Sequence, residues 1–166
     1  MGRDTSELNL QDWCKHPLGV DPAFNPGRLL VIFDGHCGLC NSLVRWLLRR
    51  DKLDHLRFAA SESEKVAGVL ARHGFAVLDP FTGPGTILVV RDPGRPEERV
   101  LVRSDAVVAL LDELPRPWPV AGAILKLVPR PLRDLGYRLI ARWRYRIWGR
   151  LESCPLPTAE ERARFL

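Results

Sequence analysis

Hydrophobic residues of this chain fall into short continuous runs and into helically spaced sets, which predict alternating strands and helices. Residues 29–33 and 86–90 are runs of apolar and β-branched side chains, a pattern typical of strands buried on both faces of a sheet. Residues 56–60 predict another short strand, and residues 100–102 predict an antiparallel partner for 86–90 across the polar turn 92–96. The pattern therefore indicates a mixed central sheet.

Five helices are predicted between and after these strands. Ser61 is the expected N-cap of the second helix, with Glu64 completing a capping box, and Ser104 is the expected N-cap of the third. The order is β-α-β-α-β-β-α followed by further helices, which indicates an α/β fold. The predicted helices cover residues 38–50, 61–72, 104–114, 119–128 and 131–150.

Composition narrows the class of protein. With 166 residues, 46% of them hydrophobic, the chain suits a single domain and is too apolar to be disordered. No apolar run approaches the roughly 18 residues that span a bilayer. Residues 1–11 do not have the long apolar stretch of a secretory signal. We therefore expect a cytoplasmic protein, in a compartment that keeps thiols reduced.

Positive charge is concentrated near the C-terminus. Residues 116–150 carry nine Lys or Arg and one acid, Asp134, whereas the rest of the chain carries 16 basic and 19 acidic residues. A basic surface of this kind suits an anionic partner, but a solvated helix face has the same composition. We expect no nucleic-acid partner.

The last predicted helix carries arginines on one side and apolar residues on another. We expect the apolar stripe to pack on the domain and the arginines to face water, because amphipathic helices normally pack on a core. The alternative is a peripheral contact of this helix with an anionic membrane or an acidic protein. The arginines are Arg138, Arg142, Arg146 and Arg150, and the apolar residues are Leu132, Leu135, Leu139, Trp143 and Ile147.

Candidate chemistry lies where the first strand meets the first helix. Cys37 falls at the helix start, where unpaired N–H groups and the positive end of the helix dipole stabilise a thiolate. Cys40 follows one turn later, close enough for a disulfide, and Gly38 leaves space beside the sulfurs for another chain. This spacing predicts thiol–disulfide exchange, with Cys37 as the exposed nucleophile and Cys40 as the more buried resolving cysteine.

Two other interpretations of the cysteine pair stay open. The pair could form a zinc site with Cys14, His16 or Cys154, although the chain has no second Cys-x-x-Cys. Alternatively, both cysteines could be small core residues. We expect no metal and no cofactor beyond the redox-active cysteine pair, and the roles of Cys14 and Cys154 are undecided.

Two titratable residues beside the pair are candidate supporting groups. Asp34 is either the proton acceptor for the buried thiol or a turn carboxylate next to Gly35. His36 is either a charge that stabilises the Cys37 thiolate or an exposed turn residue.

The motif Asp34-x-x-Cys37-x-x-Cys40 after a hydrophobic strand resembles the DCC family of thiol–disulfide oxidoreductases. The resemblance covers about residues 28–157, and it implies a thioredoxin-like fold with Cys37 and Cys40 as the redox pair. Residues 1–27 lie outside it. Further matching positions are Ser104, Asp105, Ala106, Pro129, Tyr137, Arg144, Tyr145, Gly149 and Cys154.

The sequence departs from thioredoxin itself before the third strand. Thioredoxins place a cis-proline immediately before the residue that Thr86 resembles, whereas Gly85 stands there in this chain and Pro84 comes one position earlier. We expect residues 84–86 to form the substrate groove opposite Cys37, with an edge that differs from that of thioredoxins.

These observations predict three segments: an irregular lead-in over residues 1–27, a thioredoxin-like domain over 28–115, and a basic helical extension over 116–166 packed on the same domain. The expected function is thiol–disulfide exchange with a protein or small-molecule substrate. The alternative is a non-enzymatic binding or adaptor module that uses the basic helix, with the dithiol idle or metal-bound.

Overall fold

The structure is a computed structural model, and it describes residues 29–75, 87–93, 96–151, 157–158 and 161–166. The predicted lead-in over 1–27 and the predicted groove over 84–86 lie outside the described residues. The same holds for Cys14, His16 and Cys154, the residues that a zinc site would need.

A four-stranded mixed sheet forms the centre of the described chain. Strand β1 (Leu29–Phe33) runs parallel to β2 (Leu56–Ala60) and antiparallel to β3 (Leu88–Arg91), which in turn runs antiparallel to β4 (Arg99–Val102). The strand order is β2-β1-β3-β4. Together with the helices, this is the mixed α/β arrangement of a thioredoxin-like fold, so the predicted fold class is confirmed.

The helices begin and end close to their predicted positions. Ser63, not Ser61, is the N-cap of the second helix, since its hydroxyl accepts the N–H of Lys65 at 3.3 Å. The backbone N–H of Ser61 donates to the Phe33 carbonyl at 2.8 Å and so extends the strand pairing by one residue. The helices are α1 (Gly38–Arg50), α2 (Glu64–Arg72), α3 (Arg103–Glu113), α4 (Trp118–Leu127), α5 (Arg130–Trp148) and a 3-10 helix (Glu161–Arg164).

The central strand β1 supplies both faces of the core. Leu29, Val31 and Phe33 belong to the cluster formed with α1 and α3, whereas Leu30 and Ile32 belong to the cluster formed with α2. All five side chains are buried, as the continuous apolar run predicted. The end of this rigid strand places the residues that follow it, and these are the candidate site.

The first turn of α3 is capped from a distant helix. Ser104 lies inside this turn and is not its N-cap, which is Val102 and makes no side-chain cap bond. The backbone N–H and the hydroxyl of Ser104 both donate to the Asp134 carboxylate of α5. These bonds hold the pKa of Asp134 below its ordinary value. A carboxylate at a helix N-terminus is stabilising, so Asp134 of α5 stabilises the first turn of α3.

The predicted packing of α5 is wrong. Leu135, Leu139, Trp143 and Ile147, the residues expected to dock on the domain, are all 46–63% exposed. The helix instead turns a polar face to the domain, because the domain beneath it offers charged and hydrogen-bonding partners. The residues of that inner face are Arg133, Asp134, Tyr137, Arg144 and Tyr145.

Polar contacts therefore attach α5 along its length. Arg133 pairs with Asp105 of α3 at 3.2 Å, and the Tyr137 hydroxyl accepts the backbone N–H of Ile87 just before β3 at 3.2 Å. The arginines at intervals of four face water, as predicted.

Candidate active site

The loop between β1 and α1 is shaped by two buried polar side chains. Asp34 follows the last residue of β1, and its Oδ1 accepts the backbone N–H of His36 at 2.9 Å. Asn41, on the first turns of α1, donates through Nδ2 to the carbonyls of Gly35 at 2.7 Å and Cys37 at 3.1 Å. The loop is thus fixed from both ends. The sequence analysis missed Asn41, whose only signal was an amide among the apolar positions of the helix.

The two cysteines meet at the N-terminus of α1. Cys37 is the N-cap, and its Sγ accepts the backbone N–H of Cys40 at 3.4 Å. Hydrogen bonding from the Cys40 thiol lowers the pKa of Cys37 to about 6. The same bond, with burial, raises the pKa of Cys40. The geometry therefore pairs one thiolate with one thiol at neutral pH, and neither cysteine is in a disulfide.

Both sulfurs are buried, so the prediction of an exposed Cys37 is wrong. Cys37 is 0% exposed and Cys40 is 3% exposed. Residues 148–151, which begin at the last residue of α5, pair with the loop that carries Cys37, and we call them the strap. Arg150 forms an antiparallel bridge with Cys37. Pairing of this kind covers one side of Cys37, so the strap contributes to its burial.

His36 and two glycines hold the strap in place. The Leu151 N–H donates to the His36 carbonyl at 2.8 Å, and Nδ1–H of His36 donates to the Leu151 carbonyl at 3.2 Å. Gly149 ends α5 with a φ of 74°, a conformation that favours glycine. A Cβ at Gly38 would overlap the carbonyl oxygen of Trp148. The space predicted beside the sulfurs is therefore filled by the chain itself, and His36 is a strap contact.

Behind the dithiol, Asp34 belongs to a buried charge cluster whose other members, Arg144 and Tyr145, the sequence analysis did not include in the site. Arg144 of α5 donates to Asp34 Oδ2 at 3.2 Å and to the Tyr145 hydroxyl at 2.7 Å, and that hydroxyl donates to the same carboxylate oxygen. Burial and the bond to Asp34 raise the pKa of Tyr145 to about 12. Arg144 is within electrostatic range of both cysteines and helps to lower the pKa of Cys37.

The contacts of Asp34 favour the turn interpretation over proton transfer. Each of its carboxylate oxygens already accepts a bond, one from the loop backbone and one from the Arg144–Tyr145 pair. Arg144 and Tyr145 were visible in the sequence only as positions of the family resemblance, because they lie 110 and 111 residues from Asp34.

Replacing Gly38 by alanine tests the strap. The added Cβ must push the Trp148 carbonyl away, so we expect the free energy of unfolding to fall by about 1–3 kcal/mol and Cys37 to be alkylated faster. Gly136→Ala on α5 is the control, since a Cβ there meets nothing within 4 Å. Helix propensity predicts that the control gains up to ~1 kcal/mol. Unchanged alkylation in Gly38→Ala would contradict a strap that limits access.

Within the described residues, no group of three or more His, Cys, Asp or Glu side chains is arranged to hold a metal ion. The functional groups of this site are the two cysteines and the Asp34–Arg144–Tyr145 cluster, with the strap beside them.

A thioredoxin-like domain with paired cysteines at the start of its first helix defines a class of protein, the thioredoxin-like Cys-x-x-Cys proteins. Within that class, the chain belongs to the DCC1-like thiol-disulfide oxidoreductase family, whose model matches residues 31–150. The match includes the dithiol and the Arg144–Tyr145 pair, and it confirms the resemblance found in the sequence.

Two curated proteins are similar to the chain over most of its length. The uncharacterized protein YuxK of Bacillus subtilis (strain 168) is 31% identical over 141 residues, which cover 85% of this chain and 95% of that protein. The chloroplastic DCC family protein At1g52590 of Arabidopsis thaliana is 33% identical over 129 residues, covering 78% of this chain and 70% of that protein. No solved structure matches the chain significantly.

Proposed function

We propose that the chain catalyses thiol–disulfide exchange, with Cys37 as the nucleophile and Cys40 as the resolving cysteine. The observation that carries this proposal is the geometry of the pair at the N-terminus of α1, where the Cys37 Sγ accepts the Cys40 N–H at 3.4 Å. Hydrogen bonding between the two cysteines lowers the pKa of Cys37 and raises that of Cys40. A thiolate is the attacking form of cysteine. Cys37 is therefore in the attacking thiolate form, while Cys40 stays protonated until the mixed disulfide has formed.

The reaction takes two steps that balance without a cofactor. The Cys37 thiolate attacks one sulfur of a substrate disulfide, forming a mixed disulfide and releasing the first substrate thiolate. Cys40 then loses its proton to that thiolate and attacks the Cys37 sulfur, which releases the second substrate thiolate. The protein ends as the Cys37–Cys40 disulfide and the substrate is reduced by two electrons. An external thiol restores the dithiol by the reverse steps.

Formation of the mixed disulfide also activates Cys40. The first cause of its raised pKa is the bond to the Cys37 sulfur, and burial is the second. Once that sulfur is bonded to substrate, it carries no negative charge and no longer favours the protonated form of Cys40. Displacement of the strap by the substrate admits water and removes part of the second cause. Cys40 therefore ionises readily only after Cys37 has reacted, and this sets the order of the two steps.

The proposal also covers the substrate, its binding groove and the cellular location. The substrate is a protein or small-molecule disulfide, and we assign its groove, opposite Cys37, to Pro84, Gly85 and Thr86 by comparison with thioredoxins. The location in a reducing cytosol rests on the cysteine usage and stays a prediction.

The pH dependence of alkylation tests the assignment of the nucleophile. We expect the iodoacetamide reaction of Cys37 to rise with pH, with a midpoint near 6, because its thiolate forms there. An ordinary thiol would show a midpoint near ~8.5. Cys40 should stay unlabelled over this range, and mass spectrometry of peptides separates the two sites. A midpoint above 8, or faster labelling of Cys40, would contradict the assignment.

A second candidate function, a binding or adaptor module, is favoured by the exposed apolar residues of α5. That observation concerns a surface on the outer side of the helix, and the two functions are compatible.

A further inference from the structure

Helices α4 and α5 both present large apolar side chains to solvent. Outside this set, the described large hydrophobic residues of comparable exposure are Leu53 and Trp148, the latter in the strap. Exposed apolar side chains in such number mark interaction sites. We call the set the outer face, and its members are 46–83% exposed: Val120, Ile124, Leu127, Leu132, Leu135, Leu139, Ile140, Trp143 and Ile147.

The fold does not use these side chains. The contacts of α5 with the domain are made by its polar inner face, through pairs such as Arg133–Asp105 and Arg144–Asp34. A helix that only covered the domain would be expected to place polar residues outward. Here the usual arrangement is inverted, so the outer face requires an explanation beyond folding.

The charges beside the outer face identify the chemistry of its partner. Arg138, Arg142 and Arg146 follow one another at intervals of four alongside the apolar residues. They are exposed, and none forms an ion pair with a described carboxylate. The partner should therefore combine apolar and anionic surface. A second copy of this chain would oppose these arginines with its own, which disfavours self-association.

Aromatic residues and shape point to lipid rather than to an acidic protein. Trp143 lies on the outer face, and tryptophan with arginine is the composition of helices that lie at a membrane–water interface. The face spreads over two helices, the longer of which has 19 residues and so a length of about 28 Å. No helix among the described residues is long and apolar enough to cross a membrane.

We propose that the outer face of α4 and α5 docks on the surface of a membrane that contains anionic lipid. The apolar side chains enter the boundary between headgroups and acyl chains, and the arginines contact the lipid phosphates. The strap follows α5 directly and pairs with the Cys37 loop, so a docked protein holds its dithiol close to the membrane surface. This proposal goes beyond the redox function and does not depend on it.

Vesicle co-sedimentation of the full chain tests the proposal. We expect binding to vesicles of phosphatidylcholine with phosphatidylglycerol, weaker binding at high salt, and little binding to phosphatidylcholine alone. Tryptophan fluorescence should shift to shorter wavelength on binding, because Trp143 leaves water.

Removing the apolar contacts should release the protein from these vesicles. The triple variant Leu135→Ser, Leu139→Ser, Ile147→Ser is expected to lower the partition coefficient about a hundredfold, because apolar burial drives interfacial binding. Leu53→Ser is the control, since Leu53 is equally exposed but lies elsewhere, and it should bind like the parent. All four positions are exposed, so the melting temperature should hardly change.

Charge reversal gives a second test that does not alter apolar residues. Arg142→Glu with Arg146→Glu is expected to weaken binding to anionic vesicles about tenfold or more and to reduce its salt dependence. Arg45→Glu with Arg49→Glu on α1 is the matched control, with the same spacing, exposure and change in net charge. This pair of variants decides the question if the triple variant does not fold.

Three results would overturn the proposal. Absence of binding to any vesicle would leave an acidic protein as the occupant. Equal loss of binding in the α1 control would show that net charge alone acts. Sedimentation as a dimer that the triple variant dissociates would show that the outer face joins two copies of the chain.

Discussion

Disulfide reduction should stop when Cys37 becomes serine. We expect the rate with a small aromatic disulfide, in the presence of dithiothreitol as the external thiol, to fall by several orders of magnitude, to the rate without protein. The reason is that the only sulfur with a lowered pKa at the site is that of Cys37. A serine hydroxyl in its place does not ionise near neutral pH and cannot form the mixed disulfide.

The companion variants at Cys40 separate the two roles. Cys40→Ser should leave the first attack intact and accumulate the mixed disulfide, which intact mass spectrometry detects as an added substrate thiol. Cys40→Ala also removes the donor that chiefly lowers the pKa of Cys37, so its alkylation midpoint should rise above that of Cys40→Ser. Retained turnover in Cys37→Ser, or a mixed disulfide trapped on Cys40, would show that the assignment is wrong.

The sheet and the first helix could be predicted from the sequence because their signals are local. The run over residues 29–33 can be satisfied only by burial on both faces, and the structure buries every residue of it. The change to helical spacing after Gly38 placed α1 within its observed bounds. The cysteine pair at this junction followed from the same local information.

Contacts between distant residues could not be predicted in this way. Ser104 has the composition of an N-cap, but the acceptor that decides its role is Asp134, 30 residues later on another helix. The same limit hid the burial of Cys37, since the strap that pairs with it is more than 100 residues away in the sequence.

The orientation of α5 shows a different limit. Periodicity correctly divided the helix into an apolar side and a basic ridge, but it carries no information on which side meets the domain. That choice depends on the surface beneath the helix. Asp34, Asp105 and Ser104 lie there and form hydrogen bonds with polar side chains of α5. A buried carboxylate such as Asp34 is costly without a charged partner, which favours the orientation that turns Arg144 inward.

The contact that fixes this orientation most firmly is the ion pair between Arg144 and Asp34. The two side chains are 4% and 7% exposed, and the pair joins α5 to the loop that carries the dithiol. Removing one partner of a buried pair leaves the other charge without compensation, which is why such changes are costly. The pair also links the position of the helix to the reactivity of Cys37.

Arg144→Met should therefore lower the free energy of unfolding by about 3–5 kcal/mol in urea denaturation. Lys126→Met is the matched control, because Lys126 forms an exposed ion pair with Asp112, and it should cost only about 0.2–1 kcal/mol. Adding Asp34→Asn to Arg144→Met should recover part of the loss, since no uncompensated charge stays buried. In folded Arg144→Met the alkylation midpoint of Cys37 should also rise, because a positive charge that favours its thiolate is gone. A loss no larger than that of Lys126→Met, with an unchanged midpoint, would show that the pair neither holds α5 nor tunes the dithiol.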